Sequence, residues 1–589
     1  QTQVTAKVGN ATGSTTLTVV LHLTDNPGGI APGTQGQLQG GGTADPGFKW
    51  LYPYDSTVFP RGLAAPVLQF AGVAPDATFV HISFSTLDYQ GFYGPSSPGS
   101  VSLSPQLWKT ITESASGSDS VKVELTKISG GQVTGPITEA WKIAQGSLKG
   151  TVYYNSYSSQ LVGGGVANGS ILSIKPGANA QLLIGGPNHY DCTVCHAVSA
   201  DGSTLIAAHP TPPSGSYLSS SAYDLKNAAT QIHRHDTDAD YAFGGLYPDG
   251  SMLMSLATFA SSGNPQWPQG PNVPGTQGTI HPAQLLDTKT GAVIPASGWD
   301  GVVGNSVTPA FSPDGKKIAF THYDKDGHTL AAMDFAVGTK TFSNLVDFAT
   351  DPTNFLAWPA FLPDPKWVIY QTDNRGDYAT WNDGNFDAKG DLFVAHLASK
   401  TTARLDVLDG YLNGQLYLPY GAVEATLNYE PTVLPVAVGG YYWVVFTSRR
   451  DYGNTIVTTS QEDQARKKLW VAAIDIDNPE HPSTSAHDLS HPPFYLPGQE
   501  EVAGNSRGFW ALDPCQANGT DCQTGDQCCS GFCRQTTGPD GGAVFACVAP
   551  PTGCSKEYEK CAQDADCCPC VGGAQTRCIN TFCACLGPQ

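Results

Sequence analysis

The stretch DCTVCHAVSADG, residues 191–202, has the most chemically specific spacing in the chain: two cysteines three positions apart, followed directly by a histidine. Thiols at this spacing can add to the two vinyl groups of one haem, and the adjacent histidine can then offer the iron an axial nitrogen. The spacing therefore predicts a site for one covalently attached haem c at Cys192, Cys195 and His196.

Two other interpretations of the same residues remain open. The cysteines could form a structural disulfide beside an incidental histidine, or they could bind zinc together with a second Cys/His pair. His233 and His235 could supply that pair, but their spacing matches a zinc site poorly. A redox-active CxxC usually opens a helix, whereas here Ser199-Ala200-Asp201-Gly202 predicts a β-hairpin turn.

Oxygen-bearing side chains alternate along residues 383–391, and this spacing can wrap Ca²⁺. The candidate ligands are Asp383, Asn385, Asp387 and Asp391. The same residue types also favour Asx-rich turns for backbone reasons alone, so both interpretations are kept. A third motif, G-x-S-x-G at residues 504–508, lacks the α/β setting of a nucleophile elbow and is predicted to carry no chemistry.

The composition favours a loop-rich, all-β chain of three or four domains. The chain has 589 residues with 66 Gly and 43 Pro, and only 14% of residues are charged. A formal charge of −20 argues against nucleic acid or an anionic membrane surface as a partner. We expect no transmembrane helix because no stretch of about 18 apolar residues exists.

Of the 16 cysteines, 14 fall between Cys515 and Cys585, which predicts a disulfide scaffold and an oxidising compartment. An even set of 14 can pair internally, so Cys192 and Cys195 need a separate explanation. The first residue is Gln1, which favours either a cleaved signal segment or residues missing upstream.

Three segments repeat one pattern: an apolar strand, a turn containing Asp-Gly, and a second apolar strand. They are HAVSADGSTLIAAH (196–209), GGLYPDGSMLMSLAT (244–258) and PAFSPDGKKIAFTHYD (309–324), with weaker copies at 359–373 and 431–448. Asp-Gly between apolar runs is a strong hairpin signal, and copies spaced by roughly 45–70 residues fit four-stranded blades.

The repeats and the composition shifts divide the chain into six segments. We predict N-terminal β-strands, a Gly/Pro-rich linker, an Ig-like β-sandwich, a β-propeller and two cysteine-rich modules. Their expected bounds are 1–24, 25–47, 48–148, 149–513, 514–550 and 551–589.

SPDGKKIAF (312–320) resembles the repeat of TolB-type, WD-repeat-like β-propellers, and the likeness covers about residues 150–510 with roughly six blades. Some of these propellers carry CxxCH directly ahead of a blade's S-x-D-G turn. The resemblance implies that Cys192 and Cys195 anchor the porphyrin and that His196 is the proximal ligand. It also implies that these residues enter an innermost strand, so that the haem lies over one mouth of the channel.

A distal ligand would then come from loops that feed the same mouth. The candidates are His491 and His235, followed by His189 and His233. If none of them binds, the open sixth position would allow small-ligand or peroxide chemistry.

The first cysteine-rich module resembles an inhibitor cystine knot, or knottin. That resemblance implies the pairs Cys515–Cys529, Cys522–Cys533 and Cys528–Cys547, whereas the eight cysteines from Cys554 to Cys585 allow about 105 pairings. A sandwich, a propeller and such a tail together resemble large surface or secreted proteins of predatory and soil-dwelling deltaproteobacteria.

The leading hypothesis is an extracellular, cytochrome-like monohaem propeller that exchanges electrons with a redox protein or with a small oxidant or reductant. Its enzyme class stays open. The alternative is a surface binding or structural protein without a working haem, in which residues 1–24 add a strand to a neighbouring subunit and build a homo-oligomer or filament. Both hypotheses place the chain outside the cell or on its outer surface, with the periplasm as the alternative compartment.

Overall fold

The computed structural model describes most of the chain. The residues outside its description are 1, 10, 18, 163–168, 186–191, 210–218, 236–240, 257, 261–278, 323–326, 375–387, 458–465, 478–482, 515, 517, 523–527, 529–532, 538–542, 550–566, 568–574, 580–581 and 587–589. The described part is all-β, with few short helices.

The N-terminal unit is built on two sheets. In spatial order, the six-stranded sheet contains Leu21–Asp25, Leu87–Tyr93, Ala77–Phe84, Val121–Ser129, Gln132–Ser147 and Val58–Arg61. The three-stranded sheet contains Trp50–Tyr52, Val67–Phe70 and Ser100–Ser102. Helix Pro105–Ser114 begins at Ser104, whose hydroxyl accepts from the Leu107 N–H, and it buries Trp108 in the same core as Trp141.

Residues 25–47 differ from the predicted flexible linker. They contain helix Pro32–Gln39, whose Leu38 is buried among the side chains of the six-stranded sheet, and the preceding strand Leu21–Asp25 pairs in parallel with Leu87–Tyr93. Gly42 serves close packing here, because a Cβ at this position would lie 2.1 Å from the Val133 carbonyl oxygen. A Gly-rich composition was therefore a poor guide to flexibility in this segment.

The N-terminal hairpin joins Thr2–Val8 to Ala11–Leu17. In the described part of the chain these two strands pair only with each other, so the predicted hairpin is present. The boundary between the hairpin and the sandwich therefore lies before Leu21, and not after residue 24 as the sequence predicts, because Leu21–Asp25 belongs to the six-stranded sheet.

Six sheets follow one another along residues 151–511 and are numbered here as blades 1 to 6. From the inner strand outward, blade 1 contains Gly504–Ala511, Thr151–Tyr157, Gly169–Ile174 and Gln181–Ile184, and blade 2 contains Val194–Val198, Thr204–His209, Ser219–Asp224 and Thr230–His235. Blade 3 contains Gly245–Leu246, Met252–Met254 and Leu285–Asp287, and blade 4 contains Ser306–Phe311, Lys317–His322, Thr329–Ala336 and Thr341–Thr350. Blade 5 contains Phe355–Phe361, Trp367–Asp373, Gly390–His396 and Thr401–Arg404, and blade 6 contains Asn428–Val433, Tyr441–Ser448, Lys468–Asp475 and Phe494–Tyr495.

The first strands of successive blades contact each other in order around a closed ring. The ring closes because Gly504–Ala511, the last strand of the propeller, pairs antiparallel with Thr151–Tyr157, the first. This closure joins the two ends of a 360-residue segment into one β-propeller of six blades, as the repeats predict.

The remaining elements are short. They are helix Asp406–Asp409, the 3₁₀ turns Gln160–Val162, Leu225–Asn227 and Ala422–Thr426, and the hairpins Thr258–Ala260 with Thr279–His281 and Tyr411–Leu412 with Gln415–Leu416. None of the described helices is both long and apolar enough to cross a membrane.

Two hairpins form the described part of the tail, Cys533–Thr537 with Ala543–Cys547 and Gln575–Ile579 with Phe582–Leu586. Disulfides join Cys522 to Cys533, Cys528 to Cys547 and Cys567 to Cys583. The first two are pairs that the knottin resemblance implies, whereas Cys515–Cys529 lies outside the described residues.

Candidate functional site

Each of the six blades carries one non-glycine residue in the left-handed backbone region, in its inner strand or just before it. The six residues have φ between 48° and 58°, and they are Cys195, Phe243, Thr308, Trp358, Glu430 and Arg507. Each such residue costs roughly 1–2 kcal/mol in backbone strain. Because the conformation recurs in every blade, it belongs to the architecture of the channel and sets which side chains enter it.

Three of these side chains meet across the channel. The guanidinium carbon of Arg507, from blade 1, lies 3.8 Å from the centroid of the Trp358 ring and 4.9 Å from that of Phe243. The two rings, from blades 5 and 3, contact each other edge to face with centroids 5.1 Å apart. We call these three residues the plug, because side chains from alternate blades close the channel at this level.

Arg507 is only 6% exposed, and its Nε donates to the carbonyl oxygen of His196 at 3.2 Å. Its two terminal nitrogens make no hydrogen bond with any described residue. Burial lowers the pKa of Arg507 to about 10 and the pKa of Lys467 to about 8, and it raises the pKa of Glu430. The pKa values of Arg507 and Lys467 are both drawn upward by the single carboxylate of Glu430.

A funnel-shaped cavity of about 740 Å³, including its open mouth, extends from the plug to the face where the inner hairpins turn. All six blades contribute to its walls, and the larger apolar contributors are Leu246, Pro309, Phe311, Phe361, Pro431 and Phe509. Ala200, Pro248, Pro313 and Pro435, from the first turn of four blades, lie at the mouth.

The two cysteines of the CxxCH motif carry thiols and are not joined by a disulfide. Cys192 is buried, and its Sγ accepts a hydrogen bond from the Gly169 N–H at 3.1 Å. Burial, followed by the nearby Cys192, raises the pKa of Cys195 to about 12, so this thiol is neutral at ordinary pH. No disulfide therefore joins the two cysteines, and the Cys195 thiol is protonated.

His196 lies on the inner strand of blade 2, as the sequence predicts, but its ring is fully buried between blades 1 and 2. Nδ1 lies 2.7 Å from Oδ1 of Asn155, and Nε2 lies 3.1 Å from the carbonyl oxygen of Tyr153. Burial, followed by the charge of Arg507, lowers the pKa of His196 to about 3. An iron at a metal–imidazole distance of about 2 Å would overlap these acceptors, so the residues as arranged do not fit axial ligation of haem.

The structure does not bring the described distal candidates to this motif. His233 and His235 lie on the outermost strand of blade 2, about 14 Å from its inner strand at normal strand spacing. The Nε2 of His491 lies 3.0 Å from Oδ1 of Asp475 at the outer part of blade 6. His189 lies outside the described residues. His233, His235 and His491 lie at the rim of the propeller, because His233 and His235 belong to an outermost strand and His491 follows an outer strand.

The same distance separates His233 and His235 from the cysteine pair, so these four residues cannot share one zinc ion. Of the predicted calcium ligands, Asp383, Asn385 and Asp387 lie outside the described residues. The described ligand, Asp391, forms an ion pair with Arg404 at 2.9 Å.

Sequence reasoning missed Arg507, which belongs to the G-x-S-x-G motif set aside above. An alignment of the six blades on the first turn after each inner strand would have found it. In that alignment Arg507, Cys195 and Trp358 occupy the same position, seven residues before the end of the turn. The next column shows His196 as an outlier, since the other five blades have Gly or Pro there: Gly244, Pro309, Pro359, Pro431 and Gly508. The plug itself could not be predicted, because it joins alternate blades.

No family model and no curated protein matches the chain. Similar solved structures include a putative TolB from Agrobacterium tumefaciens, with 12% identity over 62% of this chain and 99% of that chain and a TM-score of 0.30. Hydrazine synthase of Kuenenia stuttgartiensis has 12% identity over 50% and 74% of the two chains and a TM-score of 0.28. The β-propeller domain of the Trilobed protease from Pyrococcus furiosus has 8% identity over 47% and 67% and a TM-score of 0.21. Likeness at this level says nothing about function, and the propeller assignment rests on the sheet order and the closed ring.

Proposed function

We propose that this chain is an extracytoplasmic β-propeller protein that binds a ligand in its central channel. The observation that carries the proposal is the cavity in the channel. All six blades contribute to its walls, and the plug of Arg507, Trp358 and Phe243 closes it at one end. The disulfides of the tail support an oxidising compartment, on the cell surface or in the surrounding medium. This proposal develops the surface-binding alternative of the sequence analysis.

The cavity favours binding over catalysis. Among the described residues that line it, Arg507 is the one titratable side chain. Its two threonines are used inside the protein: Thr432 donates to the Gly508 carbonyl at 2.6 Å, and Thr308 accepts from the Trp358 N–H at 3.2 Å. A nucleophile with a neighbouring base, which hydrolytic chemistry needs, is not found among these described residues.

A neutral apolar dye, N-phenyl-1-naphthylamine, tests the channel because its fluorescence rises in apolar surroundings. We expect saturable binding of one dye per chain. Ala200→Trp, which fills the mouth without touching the plug, should weaken that binding at least about tenfold, since it removes access to the apolar walls. Pro363→Trp is the matched control, because it lies in the equivalent turn of blade 5 but does not line the cavity.

Saturable binding that Ala200→Trp reduces and Pro363→Trp leaves unchanged would support the channel as the site. Dye binding of equal strength in wild type and Ala200→Trp would overturn the proposal.

Covalent haem c with electron transfer is the second candidate, and the spacing of Cys192, Cys195 and His196 is the observation that favours it. The two cysteines are not joined by a disulfide, but His196 would have to leave its contacts with Asn155 and Tyr153 before it could bind iron. This second candidate includes a redox partner protein, or a small oxidant or reductant. The calcium ion at residues 383–391 also stays a prediction.

An absorption spectrum of the protein, produced in a host that matures c-type haem, decides between the two candidates. A Soret band that survives denaturation and acid–acetone extraction would establish covalent haem. A protein with an intact CxxCH motif and no such band would end the cytochrome hypothesis and leave channel binding in place.

A further inference from the structure

The closed end of the cavity holds a buried cation whose two terminal nitrogens make no hydrogen bond to a described residue. Arg507 is 6% exposed and lines the cavity, and its side chain makes a single hydrogen bond to a described residue, from Nε to His196. Buried donors without partners are costly, and a guanidinium is the side chain best shaped to bind a carboxylate through two parallel hydrogen bonds. The geometry therefore leaves two donors for a ligand.

The charges around Arg507 point in the same direction. Glu430 is the carboxylate whose charge acts on Arg507, yet the two side chains do not come within 4.0 Å among the described ion pairs. The Thr447 hydroxyl donates to Glu430 at 3.3 Å, and the buried cation Lys467 is attracted to the same carboxylate. Glu430 thus lies near two buried cations, and a carboxylate bound at Arg507 would add a second negative charge beside them.

The walls of the cavity specify the rest of the ligand. Prolines and aromatic rings surround the space in front of Arg507, and Trp358 already stacks on one face of the guanidinium. Such walls favour a flat apolar body by burial and stacking.

We propose that the channel cavity binds a small organic carboxylate with an apolar ring body, whose carboxylate pairs with the terminal nitrogens of Arg507. This inference rests on the proposed function, because it names the class of ligand for the same site. It predicts that charge at one end of the ligand, and not size alone, decides affinity.

Calorimetric titration of the full chain with 2-naphthoate and with its neutral analogue 2-naphthamide tests the inference. We expect one naphthoate per chain and at least about tenfold weaker binding of the amide, because a charged hydrogen-bonded pair contributes about 1.5–3 kcal/mol. Arg507→Lys keeps the charge but cannot bind both oxygens in the fork geometry, so it should weaken naphthoate binding about tenfold or more and leave naphthamide binding nearly unchanged.

Lys316→Met is the matched control for loss of a surface cation. Lys316 lies in the first turn of blade 4, at the face of the mouth, and its side chain is 79% exposed. Naphthoate binding should be the same in this variant as in wild type, because an exposed charge contributes little. Thermal melts of all variants establish that each is folded before it is titrated.

Equal affinity for the acid and the amide in wild type, or unchanged naphthoate binding in folded Arg507→Lys, would overturn the inference while the neutral dye still reports a working channel. Failure of naphthoate to bind a protein that binds the dye would overturn it as well. Naphthoate binding that persists in Ala200→Trp would place the naphthoate site elsewhere and overturn the inference, whereas the dye titration in the same variant decides the proposed function separately.

Discussion

His196 follows two cysteines in the sequence, yet its ring links two blades in the structure. Its contacts, Asn155 and Tyr153, lie on the strand Thr151–Tyr157 of blade 1, while His196 belongs to the inner strand of blade 2. A neutral, fully buried imidazole at this position ties the ring together near the point where it closes. A motif residue can therefore have a packing role that its spacing does not reveal.

The depressed pKa of His196 makes the stability of the propeller depend on pH. Its folded-state pKa is about 3, and its unfolded-state value is about 6.5. A depressed pKa contributes stability that is fully present above the unfolded value and is lost as pH falls from about 6.5 toward 3. The loss is about 1.4 kcal/mol per pH unit, or roughly 3 kcal/mol between pH 7 and pH 4.5.

Urea unfolding at these two pH values measures the effect. His196→Gln, which cannot be protonated, should lose about 3 kcal/mol less than wild type over the same interval. His22→Gln, at a histidine whose side chain is 71% exposed, should behave as wild type. If wild type and His196→Gln lost stability in parallel, the histidine would not be the buried neutral group described here.

At the level of elements, the N-terminal hairpin and the strand that follows it behave differently. Thr2–Val8 and Ala11–Leu17 pair only with each other in the described part of the chain, whereas Leu21–Asp25 completes the six-stranded sheet. A two-stranded hairpin is marginally stable alone, and its outer edges offer unpaired backbone groups to another strand. This arrangement keeps strand addition between copies as a hypothesis but restricts it to residues before Leu21.

Deletion of residues 1–19 tests the strand-addition hypothesis more cleanly than deletion of residues 1–24. The shorter deletion should abolish any homo-oligomer while the thermal melt stays within about 1 °C of wild type, because the sheet strand Leu21–Asp25 is kept. The longer deletion removes most of that strand and should destabilise the sandwich. Light scattering gives the mass in solution, and a mass that the shorter deletion leaves unchanged would contradict the hypothesis.

At the level of the whole molecule, different interactions stabilise the propeller and the tail. The only cysteines in residues 1–514 are Cys192 and Cys195, which are not joined by a disulfide, and the described disulfides all lie in the tail. The propeller instead closes through backbone pairing of Gly504–Ala511 with Thr151–Tyr157 and through Trp510, which is 1% exposed. Among the tail residues that the structure describes, few apolar side chains other than cysteine are buried, and we expect the tail to depend on its disulfides.

Reduction should therefore unfold the tail and spare the propeller. A small scaffold loses about 2–5 kcal/mol with each native disulfide, which is more than the tail's core can replace. We expect limited proteolysis in dithiothreitol to degrade residues after about 514 and to leave a resistant fragment that ends near the closing strand. Mass spectrometry of the fragments reads the outcome, and the unreduced protein is the control. Loss of the propeller's cooperative melt on reduction would contradict this division.

Local patterns in the sequence were enough to predict the six blades, their inner strands, the sandwich and the disulfide-bonded tail. Asp-Gly turns, alternating apolar residues and cysteine spacing each act over a few residues, so their meaning does not depend on distant neighbours. The tertiary structure decided which residues of those elements contact each other. Ring closure brings Arg507 beside residues more than 140 positions away, and packing between blades buries His196 against blade 1. In the N-terminal unit, the tertiary fold packs Gly42 onto the six-stranded sheet. These contacts depend on which blades or strands become neighbours in the folded chain, and no local spacing in the sequence records that.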